Sequence, residues 1–144
     1  MNKFVSVCLV TIQVASIMYL AITGSIIPSS AFLLILELLF VLFGLWAMAE
    51  MKFRFNIFPS LLNNSSLISS GPYKLVRHPM YTSTIFITLI WIINDFTYIR
   101  LSAWIMLVIV LNLKTFYEEK ILDEEFPEYK IYKSKTKKLI PFLY

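Results

Sequence analysis

The sequence predicts an all-α integral membrane protein of one domain, with about four transmembrane helices, both termini in the cytoplasm and a cytosolic helical tail. Three observations predict this class. Hydrophobic residues make up 58% of the 144 residues, charged residues make up only 15%, and the mean hydropathy is +0.73. A soluble domain carries about 25% charged residues. The composition therefore excludes a disordered chain, a nucleic-acid-binding arm and an ordinary soluble enzyme.

Four apolar stretches predict the four helices. The first, 5–27, has no charged residue, and the second, 31–49, has only Glu37. Both are long enough to span a hydrocarbon core, which takes about 20 residues. The third and fourth stretches, 80–93 and 101–113, are shorter, so we expect their helices to continue into the polar flanks. The expected helices cover residues 4–27, 31–50, 79–94 and 99–125.

The basic residues predict the orientation. Lys3, four residues in the connection 50–79 and seven lysines from Lys114 onward lie on one side, and Arg100 alone lies on the other. Loops rich in Lys and Arg remain in the cytoplasm. We therefore expect a multi-pass protein whose termini, central connection and active site face the cytoplasm.

The cysteine and histidine counts limit the metal chemistry. A single cysteine, Cys8, cannot form an intrachain disulfide, and a single histidine, His78, cannot build a multi-histidine site. No metal site is predicted.

Two polar segments should meet at one end of a helical hairpin. Residues 71–81 precede the third helix, and residues 114–120 follow the apolar part of the fourth. His78 and Lys114 each lie 18 residues from the middle of the hairpin, which is about 27 Å along two helices of equal rise. They should therefore lie at one level, with the Glu118–Glu119 pair about one turn further from the hairpin turn.

The side chains at this level suit a zwitterionic, cationic molecule that bears a nucleoside. Pro79 fits the first turn of a helix, whose free N–H groups favour an anion. Glu118 and Glu119 offer acceptors for hydroxyls and amines and negative charge for a cation. S-adenosylmethionine combines a sulfonium, an amino acid, a ribose and an adenine. The rings that can receive a flat base or a cation are those of Tyr73, Tyr81, Phe116 and Tyr117.

Each of these signals also has a purely structural interpretation. His78 can simply begin a helix, and Arg77 can anchor a lipid headgroup. Glu118 can pair with Lys114 at a spacing of four residues. A carboxylate inside a membrane helix is costly, so Glu37 is either functional, protonated or hydrogen-bonded to a neighbouring helix.

Two blocks of the sequence resemble the isoprenylcysteine carboxyl methyltransferase family, whose wider group includes phospholipid N-methyltransferases. Residues 71–81, GPYKLVRHPMY, are similar to its Gly-Pro-Tyr…Arg-His-Pro-x-Tyr signature. Residues 118–132, together with the closing Leu-Ile-Pro of 139–141, resemble its C-terminal block. The blocks cover roughly residues 67–144, the expected cofactor-site half, and depart from the family at Pro127, where its members often have glycine.

The resemblance implies S-adenosylmethionine as the cofactor and a lipophilic acceptor that enters from the bilayer. Two residues are the expected catalytic ones. Arg77 would orient an acceptor carboxylate by bidentate hydrogen bonds, and Glu118, or His78, would serve as the base for an amine acceptor. The implied cofactor contacts, which Arg77 would support, are Tyr73, His78, Pro79, Tyr81, Glu118 and Glu119.

The predicted function is thus S-adenosylmethionine-dependent methyl transfer to a lipophilic, membrane-embedded acceptor, with an isoprenylcysteine-like carboxylate foremost. One alternative is a membrane reductase that uses NADPH, against which the lack of a glycine-rich phosphate loop counts. Another is a small membrane scaffold or transporter subunit without catalysis. Membrane lipids are expected partners and nucleic acid is not, and a homo-oligomer that completes the site stays open.

Overall fold

A computed structural model describes residues 3–52, 67–141 and 143–144. Residues 53–66 of the connection on which the predicted orientation partly rests, with Arg54 among its four basic residues, lie outside these residues. The described chain is helical and contains no strand, only one isolated parallel bridge, so the predicted all-α class is confirmed. The elements are α1 Lys3–Ile22, α2 Ala31–Glu50, a 3₁₀ turn at Gly71–Lys74, α3 Pro79–Asn94, α4 Tyr98–Glu125 and α5 Tyr129–Lys135.

The first helix ends at Ile22, five residues before the end expected from the apolar run. The side chain of Arg100 reaches this helix end, where its Nη1 donates to Leu20 O at 3.0 Å and to Thr23 Oγ1 at 2.8 Å. Gly24 lies directly against the guanidinium, so that a Cβ there would collide with it. These contacts take the place of a further turn of α1. No local pattern in the sequence reveals them.

Three of the described helices, α1, α2 and α4, are each long and apolar enough to cross a membrane. The remaining apolar helix, α3, has 16 residues. Large apolar side chains on the outer surface stay exposed, among them Phe32, Ile35 and Leu42 of α2. Such a surface suits lipid rather than water, as expected for an integral membrane protein.

The helices pack in two principal pairs. The second helix lies along α3 and the first along α4, and α3 also contacts α1 and α4. A buried cluster of Leu20, Ile92, Leu107 and Leu111 joins α1, α3 and α4. This packing brings the beginning of α3 beside the C-terminal half of α4.

The chain after α5 folds back onto the segment that leads into α3. Val76 and Lys137 form the isolated parallel bridge. The N–H group of Arg77 donates to Lys137 O at 2.8 Å, and Thr82 Oγ1 donates to Leu139 O at 2.6 Å. The end of the chain thus fixes the backbone that carries the predicted polar residues.

Candidate functional site

A cavity of about 520 Å³ lies among α2, α3 and α4, close to the start of α3. Its volume falls within the range of about 300–1,000 Å³ that is typical of small-molecule sites. Glu119 is not part of its wall but contacts two residues that are. The predicted site residues in the wall are Tyr73, Arg77, His78, Pro79, Tyr81 and Glu118.

The 3₁₀ turn positions Tyr73 at the cavity. The turn begins at Gly71, whose φ of 54° is a conformation that side chains with a Cβ rarely adopt. A Cβ there would also meet the Glu50 carboxylate, which accepts a hydrogen bond from Ser70 Oγ at 2.7 Å. The contact ties the turn to the end of α2, so the Gly-Pro-Tyr sequence has a local structural reason.

Two carboxylates flank His78. Its Nδ1 lies 3.4 Å from Glu118 Oε2, and its Nε2 lies 3.3 Å from Glu119 Oε1. Burial lowers the pKa of His78, but the hydrogen bonds to Glu118 and Glu119 raise it, and the net pKa lies above the ordinary 6.5. The buried imidazole therefore holds a proton more firmly than a free histidine does.

His78 meets the Glu118–Glu119 pair directly, rather than one turn away as expected. Side chains on a helix lean toward its N-terminus, so carboxylates on α4 reach back toward the hairpin turn and come level with His78. Lys114, expected at that level, lies deeper. Its Nζ donates to Gln13 Oε1 at 2.6 Å and lies 5.3 Å from the centroid of the Tyr81 ring.

Tyr81 completes the setting of Glu118. The Tyr81 hydroxyl donates to Glu118 Oε1 at 2.5 Å, and its ring stacks on the His78 imidazole at 5.8 Å between centroids. Both oxygens of Glu118 therefore have a protein partner. These two contacts fix the orientation of the carboxylate, so that it can present its negative charge to a ligand.

Arg77 links Glu119 to the end of the chain. Its Nε donates to Glu119 Oε1 at 2.8 Å, and its Nη1 donates to Thr136 O at 2.5 Å and to Lys133 O at 3.3 Å. These contacts commit two of the three guanidinium nitrogens to protein acceptors. The role of Arg77 in orienting an acceptor carboxylate stays a prediction.

Two tyrosines near the end of the chain, Tyr129 and Tyr132, also belong to the wall. Tyr132 donates to Tyr73 O at 2.7 Å, and burial raises the pKa of Tyr132 to about 12. Tyr129 is fully buried, and its hydroxyl has no hydrogen-bond partner within the described residues. Burial also raises the pKa of Tyr129. Both phenols therefore remain neutral donors.

The other half of the wall is apolar and comes from helix faces that carry no motif. Gly44 allows α2 to approach α3 closely, since a Cβ there would lie 3.0 Å from Ser83 Oγ. Phe116, predicted as an aromatic face for the ligand, is exposed and lies outside the wall. Tyr117, predicted for the same role, is half-buried and also lies outside the wall. The residues that sequence reasoning missed include Gln13, Phe40, Val41, Leu45, Met48, Ser83, Thr84 and Ile87.

Other polar residues lie outside the cavity wall. Glu37 accepts a hydrogen bond from Trp91 Nε1 at 2.7 Å, so this membrane carboxylate joins α2 to α3. In the part of the chain that the structure describes, no group of three or more His, Cys, Asp or Glu side chains could hold a metal ion.

The fold and the cavity define an integral membrane protein with a small-molecule site at the end of a helical hairpin. A family model for the isoprenylcysteine carboxyl methyltransferase family matches residues 31–127, about two thirds of the chain. The chain belongs to this family, as the resemblance of its two blocks predicted. No curated protein and no solved structure matches it significantly.

Family membership implies a methyltransferase that acts on a membrane-associated acceptor, and the methyltransferases of this family generally use S-adenosylmethionine. The matched range contains α2 to α4 and both carboxylates of the cluster. It leaves out α1 and α5, so Gln13, Tyr129 and Tyr132 are features that the structure adds to the family assignment.

Proposed function

We propose that the chain transfers a methyl group from S-adenosylmethionine to a lipophilic acceptor drawn from the bilayer, most readily a carboxylate like that of an isoprenylcysteine. One observation carries the proposal. A single cavity joins a cluster of hydrogen-bonded charged residues at one end to apolar faces of membrane helices at the other. A polar cofactor and an apolar acceptor need such a combination.

The residues present fit this cofactor. Glu118 offers negative charge for a sulfonium and an acceptor for an amine or a hydroxyl. Tyr73 and Tyr81 offer ring faces for a cation or a flat base. The Tyr129 hydroxyl, buried and without a hydrogen-bond partner in the described part of the chain, supplies a donor at the wall. Glu119 and His78 support this set by holding Glu118 and the start of α3 together.

When bound, S-adenosylmethionine supplies a methyl group on a positively charged sulfur, which an anionic oxygen can displace directly. The chain contributes alignment, for which well-oriented reactants gain about 7–11 kcal/mol. Leu45, Met48 and Ile87 keep water away from the acceptor, which favours attack by an anion on a cation. A carboxylate acceptor needs no base, in keeping with Glu118, both of whose oxygens already accept hydrogen bonds.

We also propose that α1 to α4 all cross the membrane, with both termini and the mouth of the cavity on the cytoplasmic side. The 28 residues of α4 rise about 42 Å, which exceeds a hydrocarbon core of about 30 Å. The helix therefore has length to carry Glu118 and Glu119 into the interfacial region. The lysines that follow α4 favour the cytoplasmic side.

Thermal unfolding of the purified protein in detergent tests the cofactor. A ligand at about 100 times its Kd adds about 2.7 kcal/mol to the free energy of unfolding. We expect stabilisation by S-adenosylmethionine and by its demethylated product, and none by NADPH. Stabilisation by NADPH alone would identify a reductase, and no response to any of the three would leave a scaffold or transporter subunit as the better explanation.

Variants assign the site. We expect His78→Ala and Glu119→Ala to fold but to bind the cofactor about 10- to 100-fold more weakly, because each removes charged hydrogen bonds worth about 1.5–3 kcal/mol. The exposed Glu124→Ala, on the same helix, is the matched control. Normal cofactor affinity in both site variants would show that the assignment is wrong.

A further inference from the structure

The backbone of the tail, residues 136–144, is bonded to the beginning of α3. The N–H groups of Arg77 and His78, the two residues before that helix, donate to Lys137 O at 2.8 Å and to Lys138 O at 3.2 Å. These bonds join the two segments through their main chains. The tail therefore lies at the same level as the start of α3.

The length of α3 places that level at the membrane surface. The helix has 16 residues and rises about 24 Å. This is less than the hydrocarbon core of about 30 Å that α3 is proposed to cross. The beginning of α3 then lies no further out than the lipid headgroups, and so does the backbone that is bonded to it.

Three exposed lysines surround this junction. Lys74 ends the 3₁₀ turn, Lys135 ends α5, and Lys137 forms the bridge with Val76. All three side chains are exposed, and none forms an ion pair within the described residues. We refer to these three lysines as the basic surface.

Two neighbouring lysines are already held by the protein. Lys133 Nζ lies 3.3 Å from Asp123 Oδ2, and Lys138 Nζ donates to Asn112 Oδ1 at 3.2 Å. Residues 129–144 contain no aspartate or glutamate. The positive charge of the basic surface is therefore not neutralised by an acidic side chain of α5 or of the tail.

Large apolar side chains lie beside these lysines and are also exposed. Leu75 follows Lys74, and Ile140 and Leu143 belong to the tail. Lysines mixed with exposed apolar residues are typical of segments that lie on a membrane. The apolar side chains enter the boundary between headgroups and acyl chains, while the ammonium groups remain among the phosphates.

The basic surface exists only while the tail is docked. Lys74 belongs to the segment before α3, whereas Lys135 and Lys137 come from the other end of the chain. The Val76–Lys137 bridge and the bond from Lys137 N to Leu75 O, at 3.5 Å, bring the two segments together. A ligand favours the state that it binds better, so a ligand that contacts all three lysines favours the docked tail.

We propose that the basic surface binds anionic lipid headgroups and thereby holds the tail against the start of α3. The proposal goes beyond methyl transfer and rests on the proposed crossing of α3. Anionic headgroups attract lysines at a membrane surface, whereas zwitterionic headgroups have no net charge to attract them. The same tail fixes the backbone of Arg77 and His78, so the charge of the leaflet acts on the polar end of the cavity.

Hydrogen exchange of the whole protein in lipid vesicles tests this. The vesicles contain either phosphatidylcholine alone or phosphatidylcholine with about 30% phosphatidylglycerol. Residues 71–79 and 135–144 should exchange about 10-fold or more slowly in the anionic vesicles, because exchange of their paired N–H groups requires the tail to open. The comparison needs no variant to fold, and equal exchange in the two vesicles would overturn the proposal.

Two triple variants that lose the same charge separate the basic surface from net charge. The combination of Lys74→Gln, Lys135→Gln and Lys137→Gln should abolish the difference between the two vesicles. The matched control should retain the difference. A difference that survives in the first variant, or that disappears in the control, would contradict the proposal. The control replaces three lysines that are exposed elsewhere, as Lys3→Gln, Lys52→Gln and Lys120→Gln.

Salt and free phosphate identify the source of the negative charge. In about 1 M salt, where the Debye length is about 3 Å, most of the difference between the vesicles should disappear. Inorganic phosphate added to the phosphatidylcholine vesicles should not slow exchange. A difference that salt leaves unchanged, or equal slowing by inorganic phosphate, would overturn the assignment to lipid headgroups.

Failure of the proposed crossing of α3 is detected separately. With Cys8→Ser as the background, Phe96→Cys and Lys137→Cys each supply one thiol, on opposite sides of the membrane under the proposed topology. A thiol reagent that cannot cross the vesicle membrane should reach the two from opposite sides. Reaction of both from one side would overturn the crossing and the proposal together. Failure of methyl transfer would instead appear as no response to S-adenosylmethionine, with the exchange difference intact.

Discussion

His78 links the charge of one side chain to folding. The imidazole lies between Glu118 and Glu119, and its pKa lies above the ordinary 6.5 because the hydrogen bonds to these carboxylates outweigh the effect of burial. A histidine whose pKa rises on folding stabilises the folded state fully below its unfolded pKa. That contribution is lost as the pH rises through its folded pKa.

We therefore expect the free energy of unfolding to fall as the pH is raised from about 6.5 through the folded pKa of His78. Each unit by which that pKa is raised corresponds to about 1.4 kcal/mol. Denaturant unfolding of the wild type and His78→Gln between about pH 6 and pH 9 would measure this. The variant should lack the part of the pH dependence that His78 causes, and identical profiles would show that another group titrates.

At the residue scale, the sequence predicted the polar end of the cavity better than its apolar end. The sequence could predict that His78 lies near the Glu118–Glu119 pair, because helix rise and a tight hairpin determine which residues lie at the same level. Gln13 and Ser83 could not, since a single polar residue in an apolar helix has no partner until the packing of that helix is known. The pairing of Lys114 with Gln13 spans 101 residues.

Among the helices, Arg100 connects the ends of two helices, a role that its position in the sequence does not indicate. It is the one basic residue expected on the side away from the cytoplasm, and it is 2% exposed. Its guanidinium donates to Leu20 O at 3.0 Å, near the end of α1, and to Trp91 O at 2.9 Å, near the end of α3. The C-terminal carbonyls of a helix lack partners and carry partial negative charge, so one side chain stabilises two helix ends.

Replacing Arg100 by methionine should lower the free energy of unfolding by about 3 kcal/mol or more, since hydrogen bonds from a charged donor contribute about 1.5–3 kcal/mol each. Arg100→Lys should be intermediate, because an ammonium is a single point donor. Unfolding in detergent measures the loss. Cofactor affinity should remain close to the wild-type value, and a variant as stable as the wild type would contradict the interpretation.

The contact between Arg100 and the end of α1 also explains why the predicted end of the first helix was wrong. Hydropathy extends the first helix through residue 27, since the chain remains uncharged that far. The observed end at Ile22 depends on Gly24 and on a guanidinium that comes from α4. Tertiary contacts of this kind override a local pattern, and a single sequence does not show them.

Over the whole molecule, the chain after α5 joins the end of the protein to the start of α3. The Val76–Lys137 bridge and the bond from Arg77 to Thr136 O hold this segment against the cavity. Both contacts involve residues outside α1 to α4. Membrane insertion and assembly of the cavity should therefore be separable.

Removal of residues 136–144 tests this separation. The shortened chain should still insert into the membrane, because α1 to α4 are intact, but its stabilisation by S-adenosylmethionine should be lost. Membrane fractionation and thermal unfolding measure the two properties. Lys130→Ala, an exposed change in α5, should alter neither, and a shortened chain with normal cofactor response would show that the tail is dispensable.

Composition and charge predicted the class of the protein, an integral membrane protein, more readily than the packing of its interior. An excess of apolar residues defines a membrane protein because water cannot solvate such long helices, and this requires no knowledge of packing. The cavity depends on a different property, the close approach of α2 to α3 at Gly44. Nothing in an apolar stretch of 19 residues marks which of its faces does this.

The cavity that joins a charged end to apolar helix faces has a consequence for turnover under the proposed function. Methylation converts an anionic acceptor into a neutral ester, which dissolves in lipid more readily than the acid does. The ester can therefore leave along the same apolar helix faces by which the acceptor entered. Product release then requires neither repulsion nor a moving lid.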